Sequence, residues 1–496
     1  MFFFILRRLL VSLPILLASS ILTFFLVTIS GDPLSDLRIS TNPNRDQLIA
    51  ARRRVLRLDD PFFERYFDWL TGLFRLDFGQ NREGQNVSVL LGQAIETTMR
   101  LVVLATILSI GLGIAVGIIT AVRQYSGLDY VSTFTAFLFF SLPVFWVAVL
   151  LKEFGAIKFN DFLQAPGLST TGIGILTGLA AATAAGLVVG NRGRRLLAAA
   201  IVGAINLVVL LIVDATDWMT NPGLSPIAVT VLAAGAGVLA AAIYAPLSNQ
   251  RVLAAGLAAA GVGLFGALAF SSWIENPDWT QMMVLLVLSL GTGAAVGGLV
   301  GGEVDRRASV TTGLASTVFV GGIILFDQFI SAWTPGRTIG TIGPQTPNLT
   351  GTYWERMVDY AGHQILPSLA LALIGYATFM RFTRSSMLDT LKSDYVRTAK
   401  AKGLPATQVI LRHAFRTALI PVMTVVTISF ATIIEGAVIT ETVFGWRGMG
   451  LLFVEGLAEV DPYPVMGFLV VVSVSIVLLN AIADILYAYL DPRIRR

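Results

Sequence analysis

Stretches of about twenty residues with hardly a charge recur along this sequence, and no other feature constrains its fold so strongly. They fall at about residues 9–29, 101–122, 130–151, 172–190, 196–213, 226–245, 252–271, 281–300, 309–331, 365–380, 419–440 and 465–487. A helix of about twenty residues matches the roughly 30 Å hydrocarbon core of a bilayer. It also closes its own backbone hydrogen bonds where water is absent. The expected fold is therefore an all-α polytopic membrane protein with about twelve transmembrane helices. Composition agrees, because 55% hydrophobic against 13% charged residues and a mean hydropathy of +0.75 lie far from the values of a soluble domain.

Charge sets the orientation. Arg7 and Arg8 precede the first run, which is longer than the apolar region of a secretory signal, so an uncleaved first span with its N-terminus inside is expected. The basic tail Asp491-Pro-Arg-Ile-Arg-Arg496 puts the C-terminus inside as well. The formal charge of +4 reads as cytoplasmic loops, and no separate basic domain exists to bind nucleic acid. With no cysteine, disulfides, thiolate metal sites and a cysteine nucleophile are excluded.

Between the first two runs, residues 31–97 are polar with aromatic pairs such as Phe62-Phe63 and Tyr66-Phe67, as expected of amphipathic helices at the outer surface. Pro143 lies within the third run and predicts a kink, because it frees a backbone carbonyl. Six runs then fill residues 165–335. Their Arg-bearing loops at Asn191–Arg195, Asn249–Arg251 and Glu303–Arg307 alternate with acidic loops at 214–226 and 271–281, which places the former inside. Arg195, Arg251 and Arg307 recur at intervals of 56 residues, and Trp218 and Trp273 lie 55 apart, so three tandem helical hairpins are expected. No charge lies near the centre of these six runs; Asp327 is near the outer end of the last. A scaffold is the expectation here rather than a path for a polar solute.

A basic loop at residues 394–416 separates two apolar runs and holds six Lys, Arg or His residues against one acid. Small residues and Gly403-Leu404-Pro405 predict a surface helix, a turn and a second helix. The stretch Tyr395 to Gly403 followed by Leu411-Arg-His-Ala-Phe415, the run Glu441-Thr-Val-Phe-Gly-Trp446 with Gly448 and Gly450, and Asp491-Pro-Arg-Ile-Arg495 resemble the permeases of dipeptide, oligopeptide and nickel ABC importers. Arg397-Thr-Ala399 stands where other importer classes carry Glu-Ala-Ala, as in the peptide-type permeases. The resemblance covers residues 1–155, an N-terminal permease half, and 360–496, a C-terminal half with a coupling loop. It implies six helices of ABC type I importer type, with 165–335 as an added six-helix module. An even number of added spans keeps the loop on the inner side.

The resemblance further implies a non-catalytic, multi-pass subunit of the cell inner (cytoplasmic) membrane that couples ATP hydrolysis by partner subunits to import of a solute, peptides first. Its partners would be a second related permease, two ATPase subunits, an extracytoplasmic substrate-binding protein and membrane lipid. ATP and Mg would be bound by the ATPases, since this chain lacks a Gly-x-x-x-x-Gly-Lys-Ser/Thr loop, and no cofactor is expected in the chain itself. Tyr395, Arg397, Ala399, Ala401, Gly403, Leu404, Arg412 and His413 would form the docking surface for an ATPase, with the small residues on its contact side. Two acids fall within apolar runs, where charge is costly: Glu435, a candidate for the translocation path, and Asp484, a candidate for helix packing. His363 and His413 fall on opposite sides, so they cannot share a metal. The alternative is an ion-coupled secondary carrier of about twelve helices, which would carry its repeats and its midplane charges together; here they are apart.

Overall fold

The computed structural model describes residues 2–164, 166–188, 191–220, 222–333 and 339–490; the side chains of residues 2–11, 427, 428, 430–433, 435, 436 and 482–490 lie outside that description. Helix α1 (Phe2–Ile29) is followed by the short surface helices α2 (Arg45–Val55) and α3 (Phe62–Leu73). Phe24, Leu56, Tyr66, Trp69, Tyr463 and Met466 join these to the last helix in one apolar cluster. The Tyr66 hydroxyl meets Ser20 Oγ at 2.7 Å, while Phe63 and Phe67 on α3 stay exposed. The polar stretch thus folds into short helices with one packed and one exposed face.

Helix α4 (Val87–Val122) is 36 residues long, far beyond the apolar run at 101–122, and begins where the Asn86 side chain accepts from Ser88 N. Its first turns are polar and escape a reading by hydropathy. The third run is broken rather than kinked: α5 (Gly127–Ser141) meets the stretch Val144–Gln164, which begins with α6 (Val144–Lys152), at 105°. Pro143 has no N–H to continue the ladder, and Leu142 turns extended before it. From α6 the chain passes a wide π-type turn, Glu153–Ile157, and a last short helix, Lys158–Gln164.

Six helices follow: α7 (Thr170–Leu187), α8 (Arg192–Ala215), α9 (Pro226–Tyr244), α10 (Gln250–Ala269), α11 (Trp279–Gly301) and α12 (Arg306–Ser331). Side-chain N-caps start five of them, Ser169, Asn191, Ser225, Asn249 and Asp278, each accepting from a backbone N–H. Asp305, before α12, accepts instead from Asn249 Nδ2 at 3.1 Å. Helices α9 to α12 pack on one another, while α7 and α8 pair mainly together, and Gly203 is the one fully buried position on α8. Small residues allow the close crossings. A Cβ on Gly237 of α9 would lie 2.7 Å from the carbonyl oxygen of Gly256 on α10.

The six helices touch the flanking chain at few places. At their base, Asn160 bonds both backbone groups of Ile339, at 2.8 and 3.0 Å. At one end Trp354 Nε1 donates to Ile274 O at 2.6 Å and Tyr353 N to Asn276 Oδ1 at 2.9 Å. At the other, the Arg123 guanidinium donates to Leu187 O.

Helix α13 (Tyr353–Leu391) starts with a reciprocal capping box between Thr352 and Glu355, and it packs along α4 as the centre of the molecule. Helix α14 (Asp394–Ala401), a short turn, α15 (Phe415–Phe444), α16 (Met449–Ala458) and α17 (Pro462–Leu490) complete the chain. The main core joins α4, α6, α13 and α15 through Leu101, Val147, Ala370, Ile434, Phe444 and Trp446. Among the described residues, eleven helices are long and apolar enough to cross a bilayer, and counting the two bent pairs as spans raises this to thirteen. The count expected from sequence falls within these limits, and among the described residues no strand forms.

Candidate functional site

The basic loop is built on an apolar seat. Helix α14 turns Val396 and Ala399, three residues apart on one face, onto Ala121, Met387, Val409, Ala414 and Ala418. Its other face leaves Tyr395, Arg397, Thr398 and Lys400 exposed, followed by Ala401 and Lys402. Arg397 lies 3.6 Å from Asp394, both side chains largely in solvent, a pair worth little. At Gly403 the backbone turns left-handed, with φ +72°, and its N–H bonds Lys400 O at 3.0 Å. Leu404 then packs against the seat. Residues Ala406–Gln408 and a wide turn at Val409–Ala414 lead into α15; there Arg412 is exposed and His413 half-buried.

One expectation changes. Ala399 is only 5% exposed, so its small size serves the packing of α14 on its own chain and not a contact surface. Within this chain nothing lies within 4 Å of a Cβ built at Gly403, so the turn itself calls for glycine through its backbone angle. The resulting surface is a cationic knob seated on apolar packing. Among the described residues no group of three His, Asp or Glu is placed to hold a metal.

The loop's approach is fixed by an ion pair that sequence reasoning missed. Arg384, near the end of α13, donates from Nε and Nη2 to Asp129 of α5 at 2.8 and 3.0 Å, and Tyr125 N donates to the same carboxylate at 3.0 Å. Asp129 is 3% exposed. The loop after α4 is thereby strapped to the helix that leads into the knob.

At the far end of α15 lies a second built site. Glu441 is fully buried; it accepts from Thr98 Oγ1 at 2.5 Å, Gly450 N at 2.8 Å and Leu451 N at 3.1 Å. Met449 N donates to Thr98 Oγ1 at 2.8 Å. The carboxylate thus receives the first amides of α16, as a helix N-terminus favours, and ties them to α4. A Cβ on Gly450 would overlap Val438 Cα, and one on Gly448 would overlap Glu441 itself, so the glycines of this stretch let α16 fold back at 83° from α15. The acid singled out from sequence, Glu435, is on α15 with its side chain outside the described residues, as is that of Asp484 on α17. A carboxylate in the last apolar turn followed by glycines was the available signal for Glu441.

Beyond α16, Asp461 is 1% exposed and accepts from Arg82 N at 2.5 Å and Tyr463 N at 3.2 Å. The Arg82 guanidinium bonds Glu459 at 2.6 Å and lies 3.7 Å from Asp36. Burial pushes the Asp461 carboxyl up to about 6 despite these donors. His363 is buried on α13, its Nδ1 2.9 Å from Asp359 O.

The sequence pattern described as "Binding-protein-dependent transport system inner membrane component" matches residues 307–496, and the corresponding N-terminal pattern matches residues 1–109. The chain is similar to the oligopeptide transport system permease protein OppB of Mycobacterium tuberculosis (strain ATCC 25618 / H37Rv), 26% identical over 489 residues, 99% of this chain and 98% of the relative. It is 35% identical over 237 residues to the di/tripeptide transport system permease protein DppB of Pseudomonas aeruginosa (strain UCBPP-PA14), 44% of this chain and 70% of the relative. To the dipeptide transport system permease protein DppB of Escherichia coli (strain K12) it is 44% identical over 138 residues, 28% of this chain but 41% of that one.

Proposed function

Because the chain belongs to the family of binding-protein-dependent inner-membrane permeases, in the form found in dipeptide and oligopeptide ABC importers, we propose that it is the membrane subunit through which partner ATPases drive uptake of peptides, with helices α7 to α12 as an added module. The carrying observation is the cationic knob at residues 394–408, seated on the buried cluster of Val396, Ala399 and Val409. A knob held by apolar packing on one side and by the Arg384–Asp129 strap on the other transmits a push to α13 and α15 instead of yielding to it. Its exposed Arg397, Lys400 and Lys402 suit an acidic groove on an ATPase.

In this reading the Arg-bearing ends of the added helices and the knob face the cytoplasm, and both termini do too. The outer end, with Glu441, Trp354 and the Arg82 cluster, faces a soluble binding protein, and a second related permease completes the path. The chain hydrolyses nothing itself; ATP and Mg belong to the partners. Co-expression with the neighbouring transporter subunits tests the proposal. A tagged wild-type chain should bring down ATPase subunits, and reversing Arg397, Lys400 and Lys402 to Glu should release them while the permease itself stays folded. Uptake that persists without ATPases and collapses with an ionophore would instead identify an ion-coupled carrier.

A further inference from the structure

Within the added helices, a groove of about 370 Å³ is lined by Tyr244 of α9, Leu290 of α11 and Thr311, Leu314, Ala315, Val318 and Phe319 of α12. Val318, Phe319 and Tyr244 on its rim are 44%, 36% and 48% exposed, so it opens sideways to whatever surrounds the helices. Thr311 and Ala315 are the small residues of its lining. Ala315 stands on α12 between Thr312 and Ser316, both buried against α10 and its neighbours; a Cβ on Gly256 would lie 3.1 Å from Thr312, and Ser316 bonds Gly256 O at 2.7 Å. The tight packing on that side draws α12 inward and leaves the depression on the other.

No charged residue is among the lining, but the start of α12, one turn beyond its Thr311 end, is cationic. Thr311 is four residues past Arg307, which sets Arg307 on the same face of α12 one turn nearer the helix start. Thr311 Oγ1 in fact bonds Arg307 O at 3.0 Å. Arg306 is adjacent, and Arg251 opens the helix whose Asn249 bonds Asp305. The acids nearby in sequence are Glu303 and Asp305, and Asp305 is engaged by Asn249. No ion pair holds Arg251, Arg306 or Arg307 among the described residues, and all three are exposed. From Thr311 to Phe319 a helix rises about 12 Å, so the apolar trough runs from just inside this cationic end toward the middle of the bilayer.

We propose that this groove is a binding site for an acidic phospholipid, its phosphate at Arg307 and Arg306 with the Tyr244 hydroxyl beside it, and one acyl chain along Leu314, Ala315 and Val318. The chemistry commits to a lipid rather than to a free anion, because the apolar trough and the cationic helix start follow one another along one face of α12. The site is independent of the transport reading and of the ATPase partners.

Native mass spectrometry of the full-length chain, released from nanodiscs containing equal dioleoyl phosphatidylglycerol and dioleoyl phosphatidylcholine, tests it. The wild type should retain phosphatidylglycerol in preference, and Arg307→Gln should weaken that retention about fivefold, the worth of one basic residue at an anionic surface. Ala315→Trp, which fills the trough, should lower retention of both lipids. In parallel, Phe319→Trp should gain fluorescence that phosphatidylglycerol with brominated chains quenches and that glycerol phosphate leaves unchanged. Equal retention of the two lipids by the wild type, or unchanged preference in Arg307→Gln, overturns the proposal. So does quenching in Phe319→Trp no greater than that of the wild-type chain.

Discussion

Glu441 is the residue that ties the start of α16 to α4 and α15. Replacing it by Ala leaves the Gly450 and Leu451 amides and the Thr98 hydroxyl without their acceptor, at a cost on the order of 3 kcal/mol or more. A sharp fall in membrane yield and in thermal midpoint is expected, with Glu441→Gln intermediate because it keeps one acceptor oxygen. Gly403 makes a contrasting demand, since its φ of +72° strains any side chain while the space around it is open. Gly403→Asn should therefore support near-normal transport, as Asn tolerates that angle, and Gly403→Val should uncouple uptake from ATP hydrolysis. If both variants behave alike, the turn is not what glycine is there for. Asp461 sets a pH dependence. Its carboxyl holds a proton up to about 6 in the folded chain and to about 4 when unfolded. The folded state binds that proton more tightly, so stability is greatest below about 4 and declines as pH rises to about 6, by up to about 3 kcal/mol. Scanning fluorimetry between those limits should show the decline in the wild type and a flatter profile in Asp461→Asn.

Among elements, the pieces joined by side chains matter as much as the spans. The Asp129–Arg384 strap links α5 to α13 just before the cationic knob. Arg384→Ala and Asp129→Ala should each impair coupling, and the double variant should lose little more than either, a coupling energy of about 1–3 kcal/mol. Additive losses in a double-mutant cycle of ATP-dependent uptake would show that the two residues act apart. Helix positions were legible in the sequence because a bilayer demands long apolar runs, and all six added spans lie within a few residues of their expected limits. The direction each helix faces was not legible. Hydropathy cannot tell lipid from protein as the cover of an alanine, so Ala399 was expected outward and lies inward. Nor does it register polar turns that extend a span, as at the start of α4 and of α13. The break at Pro143 was visible as a bend, whereas the fold-back of α16 depends on a carboxylate and an amide from different turns, a relation no local pattern carries.

At the scale of the whole chain, the two flanking parts and the six added helices meet at few points. Deleting residues 166–333 and bridging the gap with a short flexible linker should leave α4, α6, α13 and α15 packed as before, because Asn160 and Ile339 already lie side by side. ATPase binding should survive that deletion, while Trp354 loses its partner Ile274 and thermal stability falls modestly. Loss of both halves from the membrane would mean that the added helices are part of the core. The hydrogen bonds between Asn160 and Ile339 also bear on how the chain is assembled. Bringing distant residues together costs loop-closure entropy that grows with the length of free chain between them. Hairpins with short connections form from neighbours in sequence and do not wait for that closure. Once α7 to α12 have folded during synthesis, the free chain separating the two flanking parts shrinks to the few residues on either side of the neck, so the C-terminal half finds the N-terminal half almost as though the intervening helices had never been translated.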